Sequence, residues 1–80
     1  MALIRNFEHR PMARNALHDE ITGGYSVFEY DGRTLLQIDS YGRADREIPG
    51  KKSQTIQLDR EGARALFDII KREFRFDEER

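Results

Sequence analysis

Residues 25–39 read YSVFEYDGRTLLQID. Two runs rich in aromatic and branched side chains, which pack well on a pleated surface, flank Asp31-Gly32. Both central positions of a type I′ turn need positive φ, which aspartate and glycine tolerate, so the dipeptide predicts a two-residue hairpin. The turn fixes the register: Tyr30 faces Arg33, Phe28 faces Leu35 and Val27 faces Leu36. One face of the hairpin then carries Tyr25, Val27, Glu29, Thr34, Leu36 and Ile38. The other carries Ser26, Phe28, Tyr30, Arg33, Leu35, Gln37 and, at the strand's end, Tyr41. Apolar material stands on both faces, so neither is simply solvated.

Downstream, SQTIQL at residues 53–58 alternates polar and apolar and predicts a third strand, with Gln54, Ile56 and Leu58 on one side. Asp59 is a good helix N-cap, and Glu61 suits a first turn. Ala63, Leu66, Phe67, Ile70 and Phe74 follow at i, i+3, i+4, i+7 and i+11, which predicts an amphipathic helix over residues 60–74. Its opposite side holds Arg64, Asp68, Lys71, Arg72 and Glu73. A helix with one apolar stripe roofs one sheet face, here the Val27, Leu36, Ile38 and Ile56 face. Truncating Phe67 to alanine is then expected to cost about 3–5 kcal/mol as a loss of core.

Between the second and third strands, SYGRADREIPGKK at residues 40–52 is polar and glycine-bearing. It reads as a long loop, with a short strand near residues 46–48 as an option. The expected fold class is therefore α+β: an antiparallel sheet of three to four strands in the order β-β-(β)-β-α, with one C-terminal amphipathic helix packed on one face. Residues 23–76 form this single domain, and residues 77–80 form a frayed tail. Residues 1–22 are an arm in which Pro11 can open a short helix through Met12, Ala13, Ala16 and Leu17. A flexible arm fits those residues equally well.

Eighty residues bury only about 60–65% of the surface that the unfolded chain exposes, so the stability margin is thin. Small domains usually compensate with disulfides, a metal or self-association. Cysteine is absent, which removes disulfides and thiolate zinc sites. His9 and His18 lack ligand partners at helical spacing, so no metal and no cofactor is expected. Self-association remains, and a homodimer is the expectation. No apolar run reaches the roughly 18 residues of a membrane span, and no signal-peptide core is visible. The expected location is the cytoplasm, with no membrane partner.

The net charge of −1 argues against strong non-specific attraction to nucleic acid but leaves room for a local basic patch. Catalysis has little to rest on. Ser26, Ser40 and Ser53 have no histidine near in sequence, and carboxylates such as Glu61 and Asp68 sit at helical spacing from arginine or lysine. No enzyme is expected. On the hairpin's second face, Phe28, Tyr30 and Arg33 are neighbours, with Gln37 beside them. Aromatic rings that stack bases and cations that meet phosphates are the ingredients of single-strand binding. Arg43, Arg46, Lys51 and Lys52 could extend a cationic track from the loop. The same face could instead pack against a second subunit or the N-terminal arm, and the loop lysines could serve only to keep an edge soluble.

The run from Tyr25 to Phe74 resembles the single-stranded-DNA-binding domain of the positive cofactor four family of transcriptional coactivators and its small bacterial relatives. The matching parts are Asp31-Gly32-Arg33, the aliphatic strand ending in Asp39, Pro49-Gly50-Lys51-Lys52, the short strand at residues 55–58 and the amphipathic helix. Ser53-Gln54 add a residue after the lysines, and Ser40-Tyr41 stand where the family has an arginine. The resemblance implies a curved antiparallel sheet backed by the helix, pairing of subunits and a groove for single strands. It implies Arg33, Lys51 and Lys52 as phosphate contacts; Phe28, Tyr30 and Tyr41 are stacking candidates from the face assignment. The expected function is a small homodimeric single-stranded nucleic-acid-binding domain, an accessory to transcription or replication. The alternative is a regulatory protein-interaction module whose open sheet face binds a protein.

Overall fold

The computed structural model describes residues 1–41 and 52–78. A four-stranded sheet and one helix make an α+β arrangement. The strands are β1 (Ala2–Ile4), β2 (Gly24–Tyr30), β3 (Arg33–Tyr41) and β4 (Lys52–Leu58), followed by α1 (Arg60–Glu73). A single 3-10 turn at Phe76–Glu78 ends the described chain.

The β2–β3 hairpin has the register that the turn dictates, with Tyr30 opposite Arg33, Phe28 opposite Leu35 and Val27 opposite Leu36. Asp31 and Gly32 adopt φ of 53° and 74°, the left-handed pair of a type I′ turn, whose twist suits right-twisted strands. β4 continues the sheet antiparallel to β3, with Ile38 opposite Ile56 and Leu36 opposite Leu58. The register slips between Ser40 and Tyr41, so that Tyr41 pairs with Lys52 rather than Ser53. This bulge absorbs one extra residue in β4 at the sheet's end, where ladder disruption costs least. The optional strand at residues 46–48 lies outside the described residues.

Two features correct the sequence reading. First, the N-terminus is not wholly an arm: Ala2, Leu3 and Ile4 pair in parallel with Ile56, Gln57 and Leu58, giving the order β1-β4-β3-β2. The sheet is therefore mixed, although mostly antiparallel. Residues 5–23 after β1 belong to no helix or strand, so the short helix from Pro11 does not form. Second, the helix is rotated relative to its predicted stripe. Gly62 is buried and Ala63, Ala65, Leu66 and Ile69 are half-buried, whereas Phe67, Ile70 and Phe74 remain exposed. A close approach at Gly62 sets that rotation. A Cβ there would collide with the Ile4 carbonyl oxygen and lie 3.3 Å from the Arg5 Cα. Glycine lets the first helical turn rest directly on the end of β1, and the rest of the helix must follow that contact.

The cap at this junction is well built. The Asp59 carboxylate accepts the Gly62 backbone N–H through Oδ1 at 2.9 Å and the Arg5 Nε–H through Oδ2 at 2.8 Å. Helix start, β1 end and β4 end are thereby tied at one side chain. At the other end, Phe74 N–H donates to the Ile70 carbonyl and Arg75 turns left-handed at φ 58°, which stops the helix. Among the described residues, Leu35 and Leu58 are the buried apolar side chains, at 5% and 2% exposure. That is a small core for a chain of 9.4 kDa.

Candidate interaction surfaces

Register divides the side chains between two sheet faces. The face under α1 carries Tyr25, Val27, Glu29, Thr34, Leu36, Ile38, Ile56 and Leu58. This is the face the helix was expected to cover, but the cover is partial. Val27 is 60% exposed and Tyr25 77%. A cleft of about 510 Å³ opens between sheet and helix, lined by Thr34, Leu36, Leu58, Ala63, Arg64 and Phe67 among others. The expectation that Phe67 is core is corrected by the same geometry: the ring lies at the cleft's rim and is 53% exposed.

The exposed side of the helix is an aromatic ridge with charges around it. Arg64 and Lys71 lie over the Phe67 ring, 5.6 and 6.0 Å from its centroid, within the range in which a cation meets the ring's negative face. Phe74 and Phe76 stack at 5.7 Å. A second, smaller recess is lined by Phe67, Ile70, Lys71, Phe76 and Asp77. Apolar surface of this kind, continuous along one helix and rimmed by charge, marks association surfaces more often than chance exposure.

The opposite face was expected to be open, and it is the better closed of the two. Leu35 is buried and Phe28 half-buried. Toward the far end, a polar ladder joins β3 and β4. Gln57 Nε2 donates to Gln37 Oε1 at 3.0 Å, and Gln37 Nε2 donates to the Asp39 carboxylate at 3.2 and 3.3 Å. Thr55 Oγ1 donates to Asp39 Oδ1 at 2.7 Å. Gln37 thus serves the sheet's own cross-strand bonding rather than standing free beside Arg33. Asp39, at 5% exposure, is held in place by donors, as a buried carboxylate requires. The ladder was legible only in hindsight. Gln37, Asp39, Thr55 and Gln57 each read as ordinary polar positions until the β3–β4 register sets them side by side.

The sequence-derived candidates separate into two groups. Tyr30, 61% exposed, and exposed Arg33 stand opposite each other at the hairpin turn. Tyr41 is half-buried at the far end of β3, close enough to Gly24 that a Cβ there would lie 3.0 Å from its ring. Lys52 pairs with Tyr41 through the backbone. Along β3 the two groups are about 26 Å apart, eight strand steps. Arg43, Arg46 and Lys51 lie outside the described residues. Phe28 does not present its ring freely, so of the described stacking candidates Tyr30 alone is well exposed.

Electrostatics at the helix start gives a clear titration feature. The Asp59 carboxyl is held below its ordinary value by the Gly62 backbone N–H, with burial opposing and the Arg5 hydrogen bond and charge assisting. Arg33 adds a smaller favourable field. No described helix is long and apolar enough to cross a membrane. No protein-family model matches the chain, and no curated protein or solved structure matches it either.

Proposed function

We propose that this chain is a non-catalytic interaction domain that works as a homodimer through the helix-bearing side of its sheet. One observation carries the reading. The isolated chain exposes 7683 Å², whereas a compact monomer of its mass exposes about 5,000 Å². Part of the surplus belongs to residues 5–23. More telling for association, Val27, Tyr25, Phe67, Ile70, Phe74 and Phe76 all stand exposed, on the sheet face under α1 or on α1 and the turn after it, the kind of apolar surface that marks association sites. Size-exclusion chromatography with light scattering, run over a concentration series, tests the reading. A dimer mass at micromolar concentration is expected, and a monomer at high micromolar concentration overturns it.

A second reading has its own observation. Tyr30 and Arg33 are exposed side by side at the hairpin end, a ring and a guanidinium suited to a base and a phosphate of a single strand. The family resemblance implies Lys51 and Lys52 as further phosphate contacts, Lys52 pairing with Tyr41 about 26 Å along β3 from that pair. Fluorescence anisotropy with a labelled oligonucleotide near ~50 mM salt distinguishes the readings, because phosphate contacts weaken steeply as salt rises. If it binds, Lys51→Glu with Lys52→Glu weakens it while the circular-dichroism spectrum stays native.

A further inference from the structure

We infer that the free edge of β2 is the strand through which two copies join, antiparallel about a two-fold axis at Val27, into one continuous sheet. This deepens the homodimer reading and rests on it. β2 is an outer strand, since the sheet order ends in β3-β2. Long exposed edges invite pairing, and monomeric proteins blunt them with lysine, proline, bulges or short length. The other edge, β1, is blunted by having three residues. β2 has seven, GYSVFEY, with no proline and no lysine, and Glu29 is its one charge. Its β3 ladder runs without a register shift.

The direction of the backbone groups selects the register. A two-residue turn is closed by the Tyr30 carbonyl and the Arg33 N–H. Hydrogen-bonded and non-hydrogen-bonded pairs then alternate, so Phe28, Ser26 and Gly24 also point their groups at β3. Tyr25, Val27 and Glu29 point theirs at solvent. A two-fold axis at Val27 sets Val27 against Val27 and Tyr25 against Glu29 of the second copy. All three outward residues then exchange both backbone groups. Glu29 meets a tyrosine instead of another carboxylate, so like charges stay apart. The same three side chains lie on the face under α1, where the helix packs on β3 and β4 and leaves β2 bare. Joining there places two bare β2 strands together between two helices, beneath their exposed aromatic ridges.

The absence of cysteine makes the test clean. In this register the two Val27 Cα atoms stand about 5.5 Å apart, within the about 4.4–6.8 Å that a disulfide spans. Val27→Cys is expected to form a covalent dimer on mild oxidation, while Thr34→Cys, exposed on the same face of β3, does not. Val27→Lys, at a site that is 60% exposed in the single chain, is expected to keep the native spectrum and to raise the dimer dissociation constant about tenfold or more, since it opposes two lysines. A wild-type dimer that survives Val27→Lys unchanged, with no cross-link at Val27→Cys, overturns the edge pairing and leaves the homodimer reading standing. A wild-type monomer overturns both. An extended peptide or a different protein on this edge would give that second result.

Discussion

Gly62→Ala is the sharpest test of how the helix is seated. By helix propensity alone the change is favourable, because alanine loses less conformational freedom than glycine, a gain of about 1 kcal/mol. The tertiary contact opposes it. The new Cβ would overlap the Ile4 carbonyl oxygen and lie 3.0 Å from its carbon. These are backbone atoms of a strand bonded to β4, with Arg5 tied to Asp59 just beyond, so no flexible side chain can swing away. Separating the atoms to the roughly 3.5 Å of an ordinary contact requires helix and strand to part by about 1.5 Å. Overpacking of this kind costs about 1–3 kcal/mol. An overlap this deep against backbone atoms falls in the upper part of that range, about 2–3 kcal/mol, leaving a net loss of about 1–2 kcal/mol and a melting temperature lower by about 5–15 °C. Thermal unfolding followed by circular dichroism gives the shift, and hydrogen exchange at Ala2–Ile4 shows whether β1 has come loose. In a chain lacking residues 1–5 the same substitution should become stabilising, because the obstacle is gone. A full-length variant as stable as wild type, or more so, refutes the seating of the helix on β1.

Other consequences can be measured with the same apparatus. Leu58→Ala removes a side chain that is 2% exposed and should cost about 2–5 kcal/mol in urea unfolding, against little for a residue on the helix rim. Phe67→Ala, by contrast, should cost the monomer only about 1 kcal/mol, since half the ring is already in water, and should act mainly by weakening self-association. A core-sized loss in dilute, dissociated protein would contradict that. For Asp59 the folded carboxyl lies below its ordinary value of 3.8. Its contribution is present above that value and is lost as pH falls through the lower folded one. Stability should therefore drop below about pH 4, and Asp59→Asn, which keeps a capping oxygen but not the charge, should flatten that acid limb. An unchanged limb would mean that the Arg5 bond and the cap do not govern it.

Local chemistry wrote much of this fold in plain view. Asp31-Gly32 can serve a type I′ turn because of what its two residues tolerate, and the pairing of Tyr30 with Arg33 and Phe28 with Leu35 follows from turn length alone. Asp59 before an apolar period marks the helix start for an equally local reason, since its side chain reaches a backbone N–H three residues on. The split of β2 and β3 side chains between two faces was legible too, because strand periodicity needs no knowledge of the rest of the chain. The candidate surfaces were harder. Phe28 and Leu35 look like an open apolar face in sequence, yet Leu35 is among the most buried side chains.

The reason is that burial belongs to whatever arrives from elsewhere, and arrival is set by contacts distant in sequence. A parallel strand of three residues carries too little pattern to be recognised, and only its pairing with Ile56, Gln57 and Leu58 gives it a place. Its last carbonyl then dictates where Gly62 can sit, and that seat turns the aromatic side of α1 toward water. Sequence by itself determined the hairpin, its register, the cap and the presence of an amphipathic helix, all governed by neighbours within a few residues. Tertiary structure alone decided which side of that helix meets the sheet, because a single close approach across 58 positions, from Ile4 to Gly62, outweighs the preference of a stripe that could face protein or a second copy equally well.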